Sequence, residues 1–406
     1  MTYTVVHDAG EVVTGPADGD RTLDTLTDAA VVIEDGTVSE VGPSDEITAD
    51  YPPENADTAV DADGNCVLPG FVDSHTHALF AGDRSDEFEA KLSGKSYQDI
   101  LADGGGILRT VRNVREATDM ELAEGLRARL DVMLEHGTTT AEVKSGYGLD
   151  TETELRMLSV IDRVDETHPV DLVPTFMGAH AVPEDVTSEA YTESVLTEQL
   201  PAVADQGIAQ FCDVFCEADV FSVEQSRRIL EAGREHSLTP KIHADEFTRL
   251  GGSQLAADLS AASADHLLQS TPEDAARLVD SGVTPVFLPG TAFGLDGEYP
   301  ALEPFRERET LPAVATDFNP NCYAPTLGFA ATLACVGIGM TPAEAILSIT
   351  ERGAAAIESS DGSGTVRPGA PGDLVVLDAP SYRHLPYKYD VDLVETVLKN
   401  GSVIRS

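Results

Sequence analysis

The run VLPGFVDSHTH, residues 67–77, decides the fold. It begins as an apolar strand and ends in two histidines two positions apart. Side chains at i and i+2 of a strand point to the same side, so His75 and His77 can reach one metal ion. A lone His-x-His is a weak signal, and it gains weight only from further polar residues at later strand ends. Seven more apolar runs come after it: TTTAEVKSGYG (138–148), DLVPTFMGAH (171–180), IAQFCDVFCE (208–217), TPKIHADEF (239–247), SADHLL (263–268), TPVFLPGT (284–291) and PAVATDFN (312–319). Stretches with helical period lie between them, among them Leu122–Glu135, ended by Gly137, and Val223–His236. Thr341-Pro342 followed by Glu344 supplies an N-cap, a first-turn proline and an early acid for the last helix. Eight strand-then-helix units over about 290 residues predict an α/β fold, a (β/α)8 TIM-type barrel at 68–357. A doubly wound open sheet competes, but it usually has fewer strands and often a Gly-rich phosphate turn. No GxGxxG or P-loop occurs, and Gly104-Gly105-Gly106 falls in a loop.

Outside the barrel both ends look alike. Residues 1–67 read as short strands joined by polar turns, with β-branched residues flanking Asp35-Gly36. The segment from 358 to 406 repeats the style, with Asn400-Gly401 as a second hairpin signal. The two ends are expected to meet in one small β-sandwich-like domain.

The chain has 406 residues, with 71 Asp and Glu against 26 Lys and Arg, a net charge of −45. Partners with anionic backbones or headgroups need the opposite sign, which excludes nucleic acid and membrane surfaces. Hydrophobic residues make up 42%, enough for a large core, so the acid is expected on a folded surface, chiefly along 151–166 and 184–198. Lysine occurs only at Lys91, Lys95, Lys144, Lys241, Lys388 and Lys399. An acidic, lysine-poor surface suits a salty cytosol, where screening shortens repulsion. The N-terminus MTYTVVHDAGEVV has no basic segment leading into an apolar one, so a cytoplasmic protein is expected. Leu327–Met340 is too short to span a bilayer and reads as a buried helix. The five cysteines, irregularly spaced, read as reduced thiols, and Cys212 and Cys216 as packing residues.

In a barrel of this kind chemistry is done at the C-terminal ends of the strands. Those ends carry His75, His77, Lys144, His180, Glu217, His243, Glu246, His266 and Asp317. Five of the ten histidines converge there. His75, His77, His243 and Asp317 form a His3Asp set for one divalent ion, with zinc, iron or manganese all compatible. Glu246, three residues past His243, can move protons between the attacking water and a leaving nitrogen, or else support a ligand. His266 can polarise a carbonyl or orient water. Asp317 in DFNP also suits a turn, and Asp265 reads as structural.

At these residues the chain resembles the amidohydrolase superfamily of metal-dependent hydrolases, and within it the imidazolonepropionase family. The resemblance lies in LPGFVDSHTHALFAGDRSDEF, GGGI, TTTAEVKSGYGLD, PTFMGAHAVP, KIHADEF, SADHL, FLPGTAF and ATDFNPN, from about residue 68 to 321. It implies hydrolysis of the ring C–N bond of 4-imidazolone-5-propanoate to N-formimino-L-glutamate, with one divalent ion, zinc or iron, and a homodimer. Water activated by the ion would attack the ring carbonyl. Asp317 and Glu246 would handle protons, and His266 would stabilise the oxyanion. The substrate is a small anion, and the resemblance assigns it to Arg84, Tyr147, His180, Asn319, Asn321 and Cys322. A guanidinium at Arg84 suits a propionate, although Asp83, Asp86 and Glu87 are rival partners. At 321 and 322, where many family members carry Gly and then Ser or Thr, this chain has Asn and Cys.

Three other readings compete. A nucleobase deaminase shares the His-x-His, later His and Asp pattern. A two-metal cyclic amidase would need a carboxylated lysine, for which Lys144 is the candidate. A non-catalytic scaffold would be expected to have lost ligands, and all four are present.

Overall fold

The structure, a computed structural model, describes residues 2–17, 21–95, 99–100 and 103–406. Five strands open the chain: β1 (Thr4–Pro16), β2 (Leu23–Glu34), β3 (Thr37–Pro43), β4 (Thr58–Asp61) and β5 (Cys66–Pro69). Eight more have helices between them: β6 (Phe71–Asp73), β7 (Thr138–Lys144), β8 (Asp171–Ala179), β9 (Phe211–Cys216), β10 (Thr239–Ala244), β11 (Ser263–His266), β12 (Thr284–Phe287) and β13 (Ala313–Val314). Three close the chain: β14 (Leu374–Leu377), β15 (Val394–Lys399) and β16 (Ser402–Arg405).

Strands β6 to β13 lie side by side in chain order, every pair parallel. The two edges meet just beyond β6 and β13. There Thr76 bridges Phe318, Asp317 N–H donates to His75 O at 3.0 Å, and His77 N–H donates to Phe318 O at 2.9 Å. The seam of this (β/α)8 barrel is thus made by the segments that carry three of the proposed ligands. Around it, helix Asp119–Glu135 opens on a capping box between Thr118 and Glu121 and buries Leu122, Leu126 and Leu130, four residues apart. The helix expected after Thr341 has its capping box with Glu344 and runs Pro342–Ser348.

The other sheet joins both ends of the chain in the order β16-β15-β14-β5-β1-β2-β3, with β4 also on β1. Bulges at Val6/Ala9 and Val13/Gly15 bend the 13-residue β1, which pairs with β2 along its length and with β4 and β5 in turn.

Two local expectations change. The run 67–77 is not one strand. It splits at Gly70, with β5 in the terminal sheet and β6 in the barrel. A Cβ at Gly70 would lie 2.3 Å from Thr139 Oγ1, so only glycine lets the chain cross between the sheets there. Residues 327–340 are not one buried α-helix either. Leu327–Leu333 is α-helical, a wider turn comes next at Ala334–Ile338, and Val336 stands 77% exposed. Cys212 and Cys216 are buried free thiols, and Cys212 packs where helix Val223–Glu235 brings Gly233 against β9. Among the described residues no helix is long and apolar enough to cross a membrane.

Candidate metal centre

Asp73 ends β6, and the segment beyond it, bridged at Thr76 to Phe318, carries His75 and His77 at the barrel mouth. His75 Nδ1 sits 2.6 Å from Asp265 Oδ2, which fixes the proton on Nδ1 and leaves Nε2 for a ligand. Asp265 is therefore more than a structural residue. His243 Nδ1 lies 3.1 Å from Asp213 Oδ2, and its Nε2 lies 3.3 Å from His77 Nε2. Thr291 Oγ1 donates to Asp317 Oδ2, leaving Oδ1 at 3.5 Å from His75 Nε2 and 3.6 Å from His77 Nε2. Asp317 holds its place with a left-handed backbone, φ 50°.

Two overlapping donor groups result, His75 with His77 and Asp317, and His75 with His243 and His266, each within 4.8 Å. His75 Nε2, His77 Nδ1 and both His266 nitrogens are buried without a hydrogen-bond partner. Buried polar atoms are rarely left so, and imidazole nitrogens beside a carboxylate oxygen suit a divalent cation. Burial, and then neighbouring positive groups, hold His75 and His77 well below the usual imidazole range. Metal ligation requires that neutral form.

The proton-handling candidates lie alongside. Glu246 Oε2 is 3.5 Å from His266 Nε2. Burial first, then the Asp317 and Glu217 carboxylates, push Glu246 well above the ordinary range. Its carboxyl thus tends to keep a proton. His266 takes a left-handed φ of 77°, a strained conformation for a β-substituted residue at the lip of β11.

His180 stacks on His77 with ring centroids 4.7 Å apart, and its Nδ1 meets Gly146 O at 3.1 Å. A carbonyl needs a donor, so Nδ1 carries the proton and Nε2 faces the mouth as an acceptor. Burial pushes this imidazole down to about 3. Tyr147 is buried between opposing influences: burial and Asp317 raise its phenol, while Arg84 and Arg129 lower it. Glu154, which no sequence motif singles out, holds the Tyr147 loop. It accepts from the N–H groups of Gly146 (2.9 Å), Gly148 (2.7 Å) and Leu149 (2.9 Å).

Arg84 is bound by Glu87, whose Oε2 accepts from Nε and Nη2 at 2.8 Å each. The rival partner is thus present, yet the Nη1 edge stays open to a second carboxylate. Asn319 is spent within its own turn. Its Oδ1 accepts from the N–H groups of Asn321 (2.8 Å) and Cys322 (3.0 Å), and Nδ2 donates to Asp317 O at 2.6 Å. It shapes the ground on which Asp317 stands. Cys322 is 6% exposed, and burial pushes its thiol up to about 12, so it is a packed thiol. Asn321 Oδ1 receives Lys91 Nζ at 2.5 Å.

Beneath the site lies a charged network that sequence reasoning missed. Lys144 Nζ is 2.8 Å from Glu142 Oε2, 2.8 Å from Asp213 Oδ2 and 4.0 Å from Asp265 Oδ2. Lys241 Nζ is 3.0 Å from the same Glu142 oxygen and 3.0 Å from Ser74 O. All five of these side chains are fully buried. Burial alone would lower Lys144, but Asp213, Glu142 and Asp265 outweigh it and keep the ammonium charged. Its ammonium is thus engaged by two carboxylates at 2.8 Å, an ion-paired setting that speaks against the carboxylated lysine a two-metal site would need. The acid of this chain is accordingly not all on the outside.

Known proteins share both the fold and the sequence around this centre. The amidohydrolase family model matches residues 87–405, and a model of the imidazolonepropionase-like composite domain of bacteria matches residues 29–53. An imidazolonepropionase of Haloarcula marismortui is 64% identical over 400 residues, 98% of this chain and 95% of that protein. One from Halobacterium salinarum is 61% identical (98% and 97% covered), and one from Clostridium tetani 45% identical (94% and 92%). Among solved structures, the E. coli guanine deaminase superposes with a TM-score of 0.76 at 15% identity, covering 100% of this chain and 99% of that one. That last likeness speaks for the fold alone.

Proposed function

This chain belongs to the imidazolonepropionase family of amidohydrolases, and on that premise we propose that it opens the ring of 4-imidazolone-5-propanoate. Hydrolysis of the ring C–N bond gives N-formimino-L-glutamate, a step of histidine degradation. The observation that carries the reading is the convergence of His75, His77, His243 and Asp317 in a mouth that also holds Arg84, Tyr147 and His180. His75, His77, His243 and Asp317 would hold one divalent ion, zinc or iron. When bound, the ion supplies Lewis-acid chemistry that polarises a carbonyl and makes water nucleophilic near neutral pH.

The chain's own residues do the rest. The Asp317 carboxylate takes the proton of the attacking water. Glu246, whose carboxyl burial raises well above the ordinary range, delivers a proton to the departing ring nitrogen. His266, at the lip of β11, donates to the oxygen that gains charge. His180 Nε2 accepts from a ring N–H, and stacking on His77 fixes its plane. Tyr147 closes one wall of the pocket. Arg84 binds the propionate through the Nη1 edge that Glu87 leaves open.

Purified protein should convert imidazolone propionate, followed by loss of the substrate's ultraviolet absorbance, and should release no ammonia from guanine or cytosine. Ammonia release without imidazolone turnover would sink the reading. Arg84→Ala should raise KM by roughly ten- to a hundredfold with kcat changed far less, the mark of a lost ground-state contact. An unchanged KM would remove the clamp role.

The same reading makes the protein a cytoplasmic homodimer adapted to salt. The relatives from Haloarcula and Halobacterium support the salt part. Exposed Tyr387, Tyr389 and Val391, in one short run, support an assembly surface.

A further inference from the structure

We infer that Lys91 is a second cationic contact for the substrate's carboxylate, paired with Arg84 across the rim of the barrel mouth. This rests on the substrate proposed above. Helix Ser85–Leu92 starts immediately after Arg84, and positions 84, 87 and 91 fall on one helical stripe. Glu87, buried in the middle of that stripe, already has work for both oxygens. Oε2 binds Arg84, and Oε1 accepts the N–H of Gly106 at 3.0 Å.

Among the described residues Lys91 makes no direct ion pair with a carboxylate, although Glu87 acts on it from one helical turn away. Of the six lysines, Lys95, Lys144, Lys241 and Lys399 each have an acidic partner within 3.0 Å. Lys388 is exposed. Lys91 is half-buried, and its one hydrogen-bond partner among the described residues is the neutral Asn321 Oδ1, at 2.5 Å. In a chain with 71 acids and 26 bases, a half-buried ammonium facing an amide is out of keeping with its surroundings. Burial, and then the Arg84 guanidinium, push Lys91 below its ordinary range while Glu87 between them pulls the other way, so the two cations sit close enough to feel each other. An anion received between them would relieve that repulsion.

The position suits the substrate. Asn321 belongs to the turn that Asn319 clamps to the Asp317 carbonyl, so Lys91 reaches to within four residues of a proposed ligand. A carboxylate held at Lys91 and Arg84 would orient the far end of the molecule, while the ring lies toward the histidines. This also answers a difficulty of the −45 charge: an anionic substrate needs a local positive field, and the rim supplies two cations for it.

The test separates charge from stapling. Lys91→Gln keeps a donor for Asn321 but loses the charge, and Lys91→Arg keeps the charge. Lys91→Gln should raise KM roughly ten- to a hundredfold with kcat within about twofold, and Lys91→Arg should recover most of the loss. Imidazole propionate should inhibit Lys91→Gln more weakly than wild type, whereas its methyl ester should inhibit both alike. Metal content and melting temperature should stay unchanged. An unaltered KM in Lys91→Gln, or a fall in kcat alone, would overturn the inference, the latter by making Lys91 a support for the Asp317 turn. If Lys91→Gln proved unstable, acid-against-ester inhibition of Lys91→Met would decide on the same terms. Wild-type protein with no imidazolone turnover would remove the substrate reading and this inference together. Turnover with the Lys91 variants unaltered would remove the inference alone.

Discussion

His243→Ala should yield a folded protein that has lost both its metal and its activity. Three imidazole nitrogens and one carboxylate oxygen make a minimal set, and removing one leaves a three-ligand site with a hole facing the mouth. Metal chemistry contributes several kcal/mol at the transition state, so kcat/KM should fall by roughly a thousandfold or more. Elemental analysis after gel filtration should find well under one equivalent of zinc or iron in the variant and close to one in wild type. Asp265→Asn gives the graded comparison. Its amide can no longer hold the His75 proton as a carboxylate does, and such supporting contacts are worth about 10–100-fold in metal affinity. The order His243→Ala worse than Asp265→Asn worse than wild type reflects direct against indirect contact. A His243→Ala protein that kept its metal and its rate would show that His266, which shares a donor group with His75 and His243, is the ligand instead.

The barrel and the place of its chemistry were legible because both rest on short-range periodicity. Alternating runs, helical stretches between them and polar residues at the strand ends are visible one element at a time. Three things were not. The split at Gly70 is invisible to periodicity, because β5 and β6 are both apolar and only one glycine separates two sheets. Of the network of Glu142, Lys144, Asp213, Lys241 and Asp265, the sequence singles out Lys144 and Asp265 but not their joining with the other three, because charged residues in apolar strands read as exceptions. Their spacing held the clue: Lys241 is two residues from His243, and Glu142 two from Lys144, so strand alternation puts each pair on one side. The third is how the turn uses its side chains. The short Asn319 amide makes three hydrogen bonds within its own tight turn, and such bonds depend on a backbone conformation that periodicity does not reveal. Glu154 and Lys91 belong to the same class, since their partners lie on other elements and only the folded chain reveals them.

Lys144→Met should destabilise the protein more than any other single change in the barrel floor. The side chain is fully buried among Glu142, Asp213 and Asp265, with Lys241 the other ammonium in the group. With Lys144 present the group holds two positive charges against three carboxylates. Without it, one faces three. Breaking a buried ion pair from one side typically costs about 3–5 kcal/mol, because the abandoned carboxylates stay desolvated. In a chain of this length that is a fall in melting temperature on the order of 5 °C. Metal affinity should drop as well, since Asp213 and Asp265 also face His243 and His75 and would be drawn to protonate or turn away. The double change Lys144→Met with Glu142→Gln separates charge balance from mere filling of space. Glu142 also faces Lys241 and Thr175, so neutralising it alone should harm the protein; combined with Lys144→Met it restores one positive to two negative charges. The double variant should therefore be more stable than Lys144→Met, with a coupling of roughly 1–3 kcal/mol in a double-mutant cycle. Additive losses would mean that the ammonium matters only for packing. A melting temperature unchanged in Lys144→Met would mean that water reaches these carboxylates and that the floor of the barrel is not sealed.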